Sequence, residues 1–252
     1  AFPAATTTLC TAGAVHIQFF PDGLVQVATS PDGSKVAYSV ATAAGADIYT
    51  ANPNGGGGVK LTSLPLSQVL LSWPSTGFIL AASTAAAGVP GIVFSINAKT
   101  GATEPVLYAD GITAVANPSF SKVVYQTEET TARATWVRDV KSGSNTPLSF
   151  DPLPEKCIWS VTATSTMYCA APLAYVPSNF LDLWHMGTAA AADSVFAFNV
   201  ASGQSNILAS PGSAQDGGEQ ADIAALAVSA DDHYLLFIRK GDRSLWAVRL
   251  SQ

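Results

Sequence analysis

The sequence predicts an all-β fold, namely a β-propeller of about five four-stranded blades that either stands alone or forms part of a larger propeller. Three observations lead to this prediction. Apolar stretches of strand length recur along the 252 residues, a tight-turn motif precedes several of them, and in most steps the motif returns after about 42 to 45 residues. Four strands in roughly 40–45 residues is the repeat of a propeller blade, whereas a β-sandwich gives strands without this recurrence.

The repeat is clearest at Ser30-Pro31-Asp32-Gly33, which alternating apolar residues follow. Proline at the second turn position, with Asp and Gly behind it, produces a tight reversal, and the alternation predicts a strand. Further copies begin at Asn117 and Ser229, and weaker copies begin at Ser72 and Ser160. Aligning the copies assigns one aromatic or aliphatic residue to the same place in every second strand: Tyr38, Leu80, Tyr125, Tyr168 and Phe237.

The repeat assigns residues 1–252 to a single domain and divides them into blades. The predicted blades cover about residues 23–63, 66–108, 111–149, 155–208 and 222–252. Residues 14–20 form one more apolar segment outside this series. They are predicted to be either the strand that closes blade 5 or the last strand of a blade that precedes blade 1.

Composition and charge narrow the classes of partner. The chain has 12 basic and 18 acidic residues, a net charge of −6 and a pI near 4.9. Nucleic-acid binding is not expected, because phosphate recognition requires clustered Lys and Arg. Although 48% of the residues are hydrophobic, no apolar run reaches the ~18 residues of a membrane helix. We therefore expect no membrane span in this chain, and a monomer on its own.

Two insertions interrupt the regular spacing near the end of the chain. Residues 171–192 separate the second and third strands of blade 4, and residues 209–221 separate blade 4 from blade 5. In an up-and-down blade both connections emerge on the same side of the disc. Long loops on a rigid scaffold commonly carry binding residues. This side, called the insertion-bearing face below, is the predicted binding surface.

The candidate binding residues are aromatic and polar side chains in or beside the first insertion. Exposed aromatic rings next to amide and carboxylate groups suit the stacking of a sugar or the anchoring of a peptide. The alternative is that the aromatic residues form a small satellite core that fastens the insertion to the disc. The candidates are Tyr175, Phe180, Asp182, Trp184 and His185 in the insertion, with Glu128 and Arg133 in the neighbouring loop of blade 3.

Two of the three cysteines are predicted to form a disulfide. Cys157 and Cys169 are equally far from Ala163, the centre of a predicted hairpin. Directly opposed residues of an antiparallel pair come close enough for a bridge, which would imply an oxidising compartment. A reduced buried pair is the main alternative. The spacing is not that of a zinc site, and no metal ligand set is predicted. Cys10 is left without an assigned role.

A family resemblance rests on particular segments. The copy at residues 30–35, followed by Asp47-Ile48-Tyr49 and Lys60-Leu61-Thr62, resembles the WD40-like repeat of TolB-type propellers. Residues 153–160 and 167–172 resemble uncharacterised exported propeller proteins of candidate-phylum bacteria. The resemblance implies a periplasmic or cell-surface protein, tethered or exported, with additional blades on its N-terminal side. It implies no catalytic residues.

The sequence predicts a binding or scaffolding module and no enzyme. It contains no Gly-x-Ser-x-Gly elbow, phosphate loop or dinucleotide motif, and no cofactor is expected. Some propellers hydrolyse glycosides with paired acids, but the predicted innermost strands carry no acid, including residues 25–29, 68–72, 112–116 and 223–228. The expected partner is a protein, with a cell-envelope glycan as the alternative and glycoside hydrolysis as a more remote one.

Overall fold

The computed structural model describes residues 20–129, 132–174, 176–177, 179–211 and 220–250. Blade 1 contains β1 (Leu24–Thr29), β2 (Val36–Thr42), β3 (Gly45–Ala51) and β4 (Val59–Leu64). Blade 2 contains β5 (Val69–Ser75), β6 (Phe78–Ser83), β7 (Pro90–Asn97) and β8 (Thr103–Asp110). Blade 3 contains β9 (Thr113–Ala116), β10 (Lys122–Glu128), β11 (Arg133–Asp139) and β12 (Asn145–Pro147).

Blade 4 follows a 3-10 turn at Pro154–Lys156 and contains one short helix between its second and third strands. Its elements are β13 (Cys157–Trp159), β14 (Thr166–Pro172), α1 (Phe180–His185), β15 (Asp193–Asn199) and β16 (Gln204–Ala209). Blade 5 contains β17 (Ile223–Val228), β18 (Tyr234–Arg239) and β19 (Leu245–Arg249). None of the described helices is long and apolar enough to cross a membrane.

The predicted propeller is confirmed. Each blade is an antiparallel sheet whose strands pair in chain order, and blades 1 to 4 have four strands each. Blade 5 has three strands in the described part of the chain. Of the segment 14–20, only Phe20 is described, and its ring meets Tyr38 edge-on at 5.3 Å between centroids. The two interpretations of that segment otherwise concern residues outside the described ranges.

The hydrophobic core lies between neighbouring sheets. Ile48 of blade 1 packs with Val69 and Ile79 of blade 2, and all three are buried. Equivalent clusters join blade 2 to blade 3, blade 3 to blade 4 and blade 4 to blade 5. Both faces of an interior blade are therefore apolar, as expected of strands that are covered on two sides.

The alignment of second strands from the sequence is wrong by one residue in blades 2 and 4. Tyr125 and Phe237 pack against the preceding blade, whereas Leu80 and Tyr168 pack against the following one. In blade 4 the first turn is one residue longer. The N–H of Ser160 donates to the carbonyl of Thr166, six residues on, whereas in blade 1 the N–H of Ser30 donates to the carbonyl of Lys35, five residues on. In blade 2 the pairing of β5 and β6 shifts near Ser72–Ser75. A slip of one residue moves a side chain to the opposite face of the sheet.

The predicted disulfide is confirmed. Cys157 and Cys169 pair directly across β13 and β14, and their Cα atoms are 4.1 Å apart. In the true register Cys169 occupies the place that Tyr125 holds in blade 3 and Phe237 holds in blade 5. The bridge therefore fills a position at which these other blades bury an aromatic ring against the preceding sheet.

We expect the double substitution of Cys157→Ala with Cys169→Ala to lower the free energy of unfolding by about 3 kcal/mol. The reason is that the bridge closes a loop and so reduces the conformational entropy of the unfolded chain. Urea denaturation of the two proteins under oxidising conditions measures the difference. A reducing agent should lower the midpoint of the wild type and leave that of the variant unchanged. An unchanged midpoint in the double variant would contradict the stabilising role.

Candidate functional site

The helix α1 lies on the insertion-bearing face, between the second and third strands of blade 4. It belongs to blade 4, yet it contacts three other blades. The backbone N–H of Ala87, in the β6–β7 loop of blade 2, donates to the Asp182 carboxylate at 3.2 Å. The N–H of Leu181 donates to Glu128 of blade 3 at 3.4 Å, and Lys240, at the end of β18 in blade 5, donates to the Trp184 carbonyl. The helix is therefore fixed by its own blade and by hydrogen bonds to three others.

The aromatic residues of the insertion point into the protein. Phe180, Leu181 and Trp184 are buried together with Ala85 and Leu153. The prediction that these rings are exposed for stacking is therefore corrected. They form the satellite core that the sequence left open as the alternative, because the apolar side of a short helix must be covered by the disc beneath it. Tyr175 lies outside the described residues.

A buried ionic cluster holds α1 from below. Lys156, almost fully buried, donates to Asp193 and to Asp222, each at 2.8 Å. The indole N–H of Trp184 also donates to Asp222 at 2.8 Å. The ammonium groups of Lys156 and Lys240 lie 4.5 and 4.0 Å from the centre of the Trp184 ring. No local sequence pattern indicates this cluster, because its members lie far apart in the chain and carry no recognisable motif.

Burial changes the proton affinity of the cluster's charged groups. Desolvation raises the pKa of Asp193 despite the opposing effect of Lys156, and desolvation also lowers the pKa of Lys240. Oδ1 of Asp193 has no hydrogen-bond partner, while its Oδ2 accepts from Lys156 and from the Ile223 amide. Charges placed in this way bind α1 to the disc at a considerable cost in desolvation.

Glu128, a predicted site residue, lies at the end of β10 and has no accessible surface. Desolvation raises the pKa of its carboxyl group to about 7, although the Leu181 amide and Arg133 act in the opposite direction. Gln126 donates to its second oxygen at 3.2 Å. The guanidinium of Arg133 in turn lies 5.8 Å from the centre of the Phe180 ring. Glu128 and Arg133 are therefore brought together with α1, as part of its support.

His185 is the predicted site residue nearest to solvent. Its ring contacts Glu155 through Nε2 at 2.8 Å, with both side chains about one-third exposed. The hydrogen bond to Glu155 raises the pKa of His185, while partial burial acts against it. Glu155 also lines a cavity of about 370 Å³ beside the inner strands of blades 2 and 3. The His185–Glu155 pair therefore links α1 to the edge of that cavity.

The outer surface of the face is more apolar than its ionic support. Val89, Leu173 and Met186 are 51%, 66% and 65% exposed, and all three lie in connections between second and third strands. A groove of about 580 Å³ runs between blades 3 and 4, next to Leu173. Its wall includes Arg133, Phe150, Val176 and Phe196. The groove combines a cationic group with aromatic and aliphatic surface, as protein-binding surfaces often do.

The arrangement offers surface for binding more readily than groups for chemistry. Glu128 and Asp193 are sealed from solvent, and Asp182 is engaged by the Ala87 amide. Across the described ranges no three His, Cys, Asp or Glu side chains are grouped so that they could hold a metal ion. Glu128 ends β10, Asp182 lies in α1 and Asp193 begins β15, so none of these acids belongs to an innermost strand.

Comparison with known proteins identifies the fold. The sequence matches no family model and no curated protein. TolB from Acinetobacter baumannii matches with a TM-score of 0.53 at 13% identity, over 91% of this chain and 55% of that chain. The β-propeller domain of the Trilobed protease from Pyrococcus furiosus matches with a TM-score of 0.53 at 13% identity, over 91% and 69%. A chain of a nidogen–laminin complex matches with a TM-score of 0.57 at 10% identity, over 90% and 76%.

These structural matches show a TolB-like propeller fold and no more. This chain spans 55% of the TolB chain, so it corresponds to part of that protein. The matched chains include the propeller domain of a protease as well as a chain of a nidogen–laminin complex.

We expect Lys156→Ala to lower the free energy of unfolding by about 3–5 kcal/mol, because it leaves two carboxylates without their buried cation. The control is Lys60→Ala, which removes a half-exposed ion pair with Asp47 and should cost no more than about 1 kcal/mol. Urea denaturation at neutral pH measures both. Equal losses in the two variants would contradict the anchoring role of Lys156.

We expect Glu128 to make stability fall as the pH rises. Its folded pKa of about 7 lies above the ordinary value of 4.5, so the fold favours the neutral acid. The stabilisation that results from this difference in pKa is complete below pH 4.5. It is lost as the pH rises to about 7, and the free energy of unfolding falls by up to ~1.4 kcal/mol per pH unit. Urea midpoints of the wild type and of Glu128→Gln should diverge across this range. The urea midpoints of the exposed control Glu104→Gln should stay parallel to those of the wild type across this range. If the midpoints of Glu128→Gln also stay parallel, the raised pKa of Glu128 is refuted.

Proposed function

We propose that this chain is a non-catalytic, protein-binding propeller of the bacterial cell envelope, and that it binds its partner with the insertion-bearing face. The observation that carries the proposal is the exposed Leu173, which lines the groove between blades 3 and 4, together with the exposed Met186 at the end of α1 in the same insertion. Exposed apolar surface of this kind on one face is typical of an interaction site.

The support beneath the surface favours the same function. The insertion is fixed through α1 by hydrogen bonds to blades 2, 3 and 5. Leu173 and Met186 are therefore presented by a loop with an ordered base, which lowers the entropy that binding must overcome. Phe150, Leu173 and Phe196 line the groove and give it an apolar wall that suits apolar side chains of a partner segment.

The assignment to the envelope rests on the disulfide. A bridge between Cys157 and Cys169 is stable in oxidising compartments, whereas the cytoplasm keeps most thiols reduced. Periplasmic or cell-surface location agrees with this bridge and with the TolB-like fold. The more specific relationship to propellers of candidate-phylum bacteria remains a prediction from the sequence.

The burial of the candidate acids supports a non-catalytic role. A general acid must reach the atom it protonates within about 3 Å, and Glu128 has no accessible surface. A glycan remains the alternative partner. That alternative depended on an exposed aromatic ring at Trp184 on which a sugar could stack. Trp184 is only 6% exposed, so its ring does not offer such a surface.

The test is site-specific photo-crosslinking in the bacterial envelope. Leu173→p-benzoylphenylalanine and Met186→p-benzoylphenylalanine should each form covalent protein adducts that survive denaturing purification and can be identified by mass spectrometry. The control position is Val161, which is 54% exposed but lies in the first turn of blade 4, on the opposite face. That position should form no such adducts.

The alternatives give different results. Equal crosslinking from Val161 would show non-specific contact, and crosslinking from Val161 alone would place the partner on the wrong face. If no protein adducts form and the purified chain binds immobilised glycans in a way that Leu173→Asp abolishes, the partner is a glycan and the proposal of a protein partner fails.

A further inference from the structure

The cavity of about 370 Å³ that Glu155 lines is a second candidate site. Its wall is formed by residues of β1, β5, β6 and β9 and by the 3-10 turn that precedes blade 4. A cavity of this size accepts a small molecule. It shares no lining residue with the groove between blades 3 and 4, so the two sites are separate.

Glu155 carries the only charge among the described residues that line this cavity. Its Oε2 contacts Nε2 of His185 at 2.8 Å, while its Oε1 has no hydrogen-bond partner in the described part of the chain. The ammonium group of Lys156, the next residue, is directed instead to Asp193 and Asp222. A cavity lined by a single carboxylate attracts a cation and repels an anion.

A buried hydroxyl group in the same wall also lacks a partner. Thr113 lines the cavity and is 4% exposed, and its Oγ1 accepts or donates no hydrogen bond among the described residues. An unpaired buried polar atom costs free energy, and native structures contain few of them. An N–H group of a ligand in the cavity would satisfy this oxygen. Gln26 and Ser72 line the cavity too and offer further oxygen acceptors.

The remainder of the wall is largely aliphatic and closely packed. Leu70, Leu80 and Ile112 line it. A Cβ atom at Gly91 of β7 would lie 2.7 Å from Oγ of Ser83 and 2.8 Å from Cγ2 of Ile112. Glycine is therefore required there for these two lining residues to keep their places. A ligand that fills the cavity needs an apolar body as well as a positive charge.

We propose that this cavity binds a primary organic ammonium ion. The ammonium group donates to Glu155 and Thr113, and an aliphatic or aromatic body packs against Leu70, Leu80 and Ile112. An ammonium group has three N–H donors and no acceptor, which matches a lining of one carboxylate and several neutral oxygen atoms. An inorganic cation would leave the aliphatic wall unfilled, and a neutral alcohol would gain nothing from the charge of Glu155.

Isothermal titration calorimetry of the purified chain at neutral pH tests the proposal with three probes: butylammonium, cyclohexylmethylammonium and 2-phenylethylammonium. At least one should bind with a dissociation constant of about 1 mM or lower. The alcohol in which a hydroxyl group replaces the ammonium group should bind at least about tenfold more weakly, because it loses a charge-assisted hydrogen bond. If none of the three probes binds, or if the alcohol binds equally well, the proposal fails.

Two substitutions at the Glu155–His185 pair separate direct contact from support of α1. Glu155→Gln should weaken binding of the ammonium probe at least about tenfold, whereas the matched control Glu104→Gln on β8 should leave it unchanged. His185→Gln breaks the same contact with α1 but frees Oε2 of Glu155, so it should tighten binding. Equal weakening by His185→Gln and Glu155→Gln would mean that Glu155 acts only by holding α1, which would overturn the proposal.

Thr113→Val provides a readout that a purely structural role would not give. It should weaken binding of the probe about threefold or more without lowering the urea midpoint, because it removes an oxygen that is unpaired in the free protein. A lower urea midpoint with unchanged affinity would refute the contact with Thr113. Since no protein partner takes part in these measurements, their failure leaves the proposed role of the insertion-bearing face untouched.

Discussion

The burial of one sheet face against the next is the constraint on which the rest of this structure depends. A four-stranded blade is apolar on both sides, and neither side can be buried within the blade itself. Ile48 and Ile79 reach zero exposure only because two blades meet, so each blade needs a neighbour on either side. Among the described residues, Leu245 of blade 5 departs from this pattern, since it is 68% exposed while its counterparts Ile48 in blade 1 and Val195 in blade 4 are buried.

The disc in turn makes the charged cluster under α1 possible. A cation as deeply buried as Lys156 is tolerated only when carboxylates are held close to it. Asp193, at the start of β15, and Asp222, just before β17, supply them at 2.8 Å. Trp184 then joins the cluster through its indole N–H and its ring. Such networks contribute less to stability than to fixing one arrangement. Here the fixed arrangement is α1 held against blades 2, 3 and 5.

Features that depend on neighbouring residues could be predicted from the sequence, and features that depend on distant ones could not. The Ser30-Pro31-Asp32-Gly33 turn and the symmetric placement of Cys157 and Cys169 are local, so the propeller repeat and the bridge were predicted. The predicted position of Tyr168 was wrong because the first turn of blade 4 is one residue longer than that of blade 1. The extra residue moves the side chain to the other face of the sheet without changing the hydrophobic pattern. The direction of Trp184 depended on Lys156 and Asp222, which no local pattern connects to it, so the sequence allowed both an exposed platform and a satellite core.

The two surfaces of the protein are subject to different physical constraints. Leu173 and Met186 lie in a connection whose length is free to vary, because the sheets hold the blade together without it. Leu245 lies in a strand, where a change of one position moves every neighbour to the other face. A new partner can therefore arise by altering the insertion while the order of blades is preserved. For this reason the fold alone identifies no partner, and we propose that the insertion-bearing face determines the specificity of this protein.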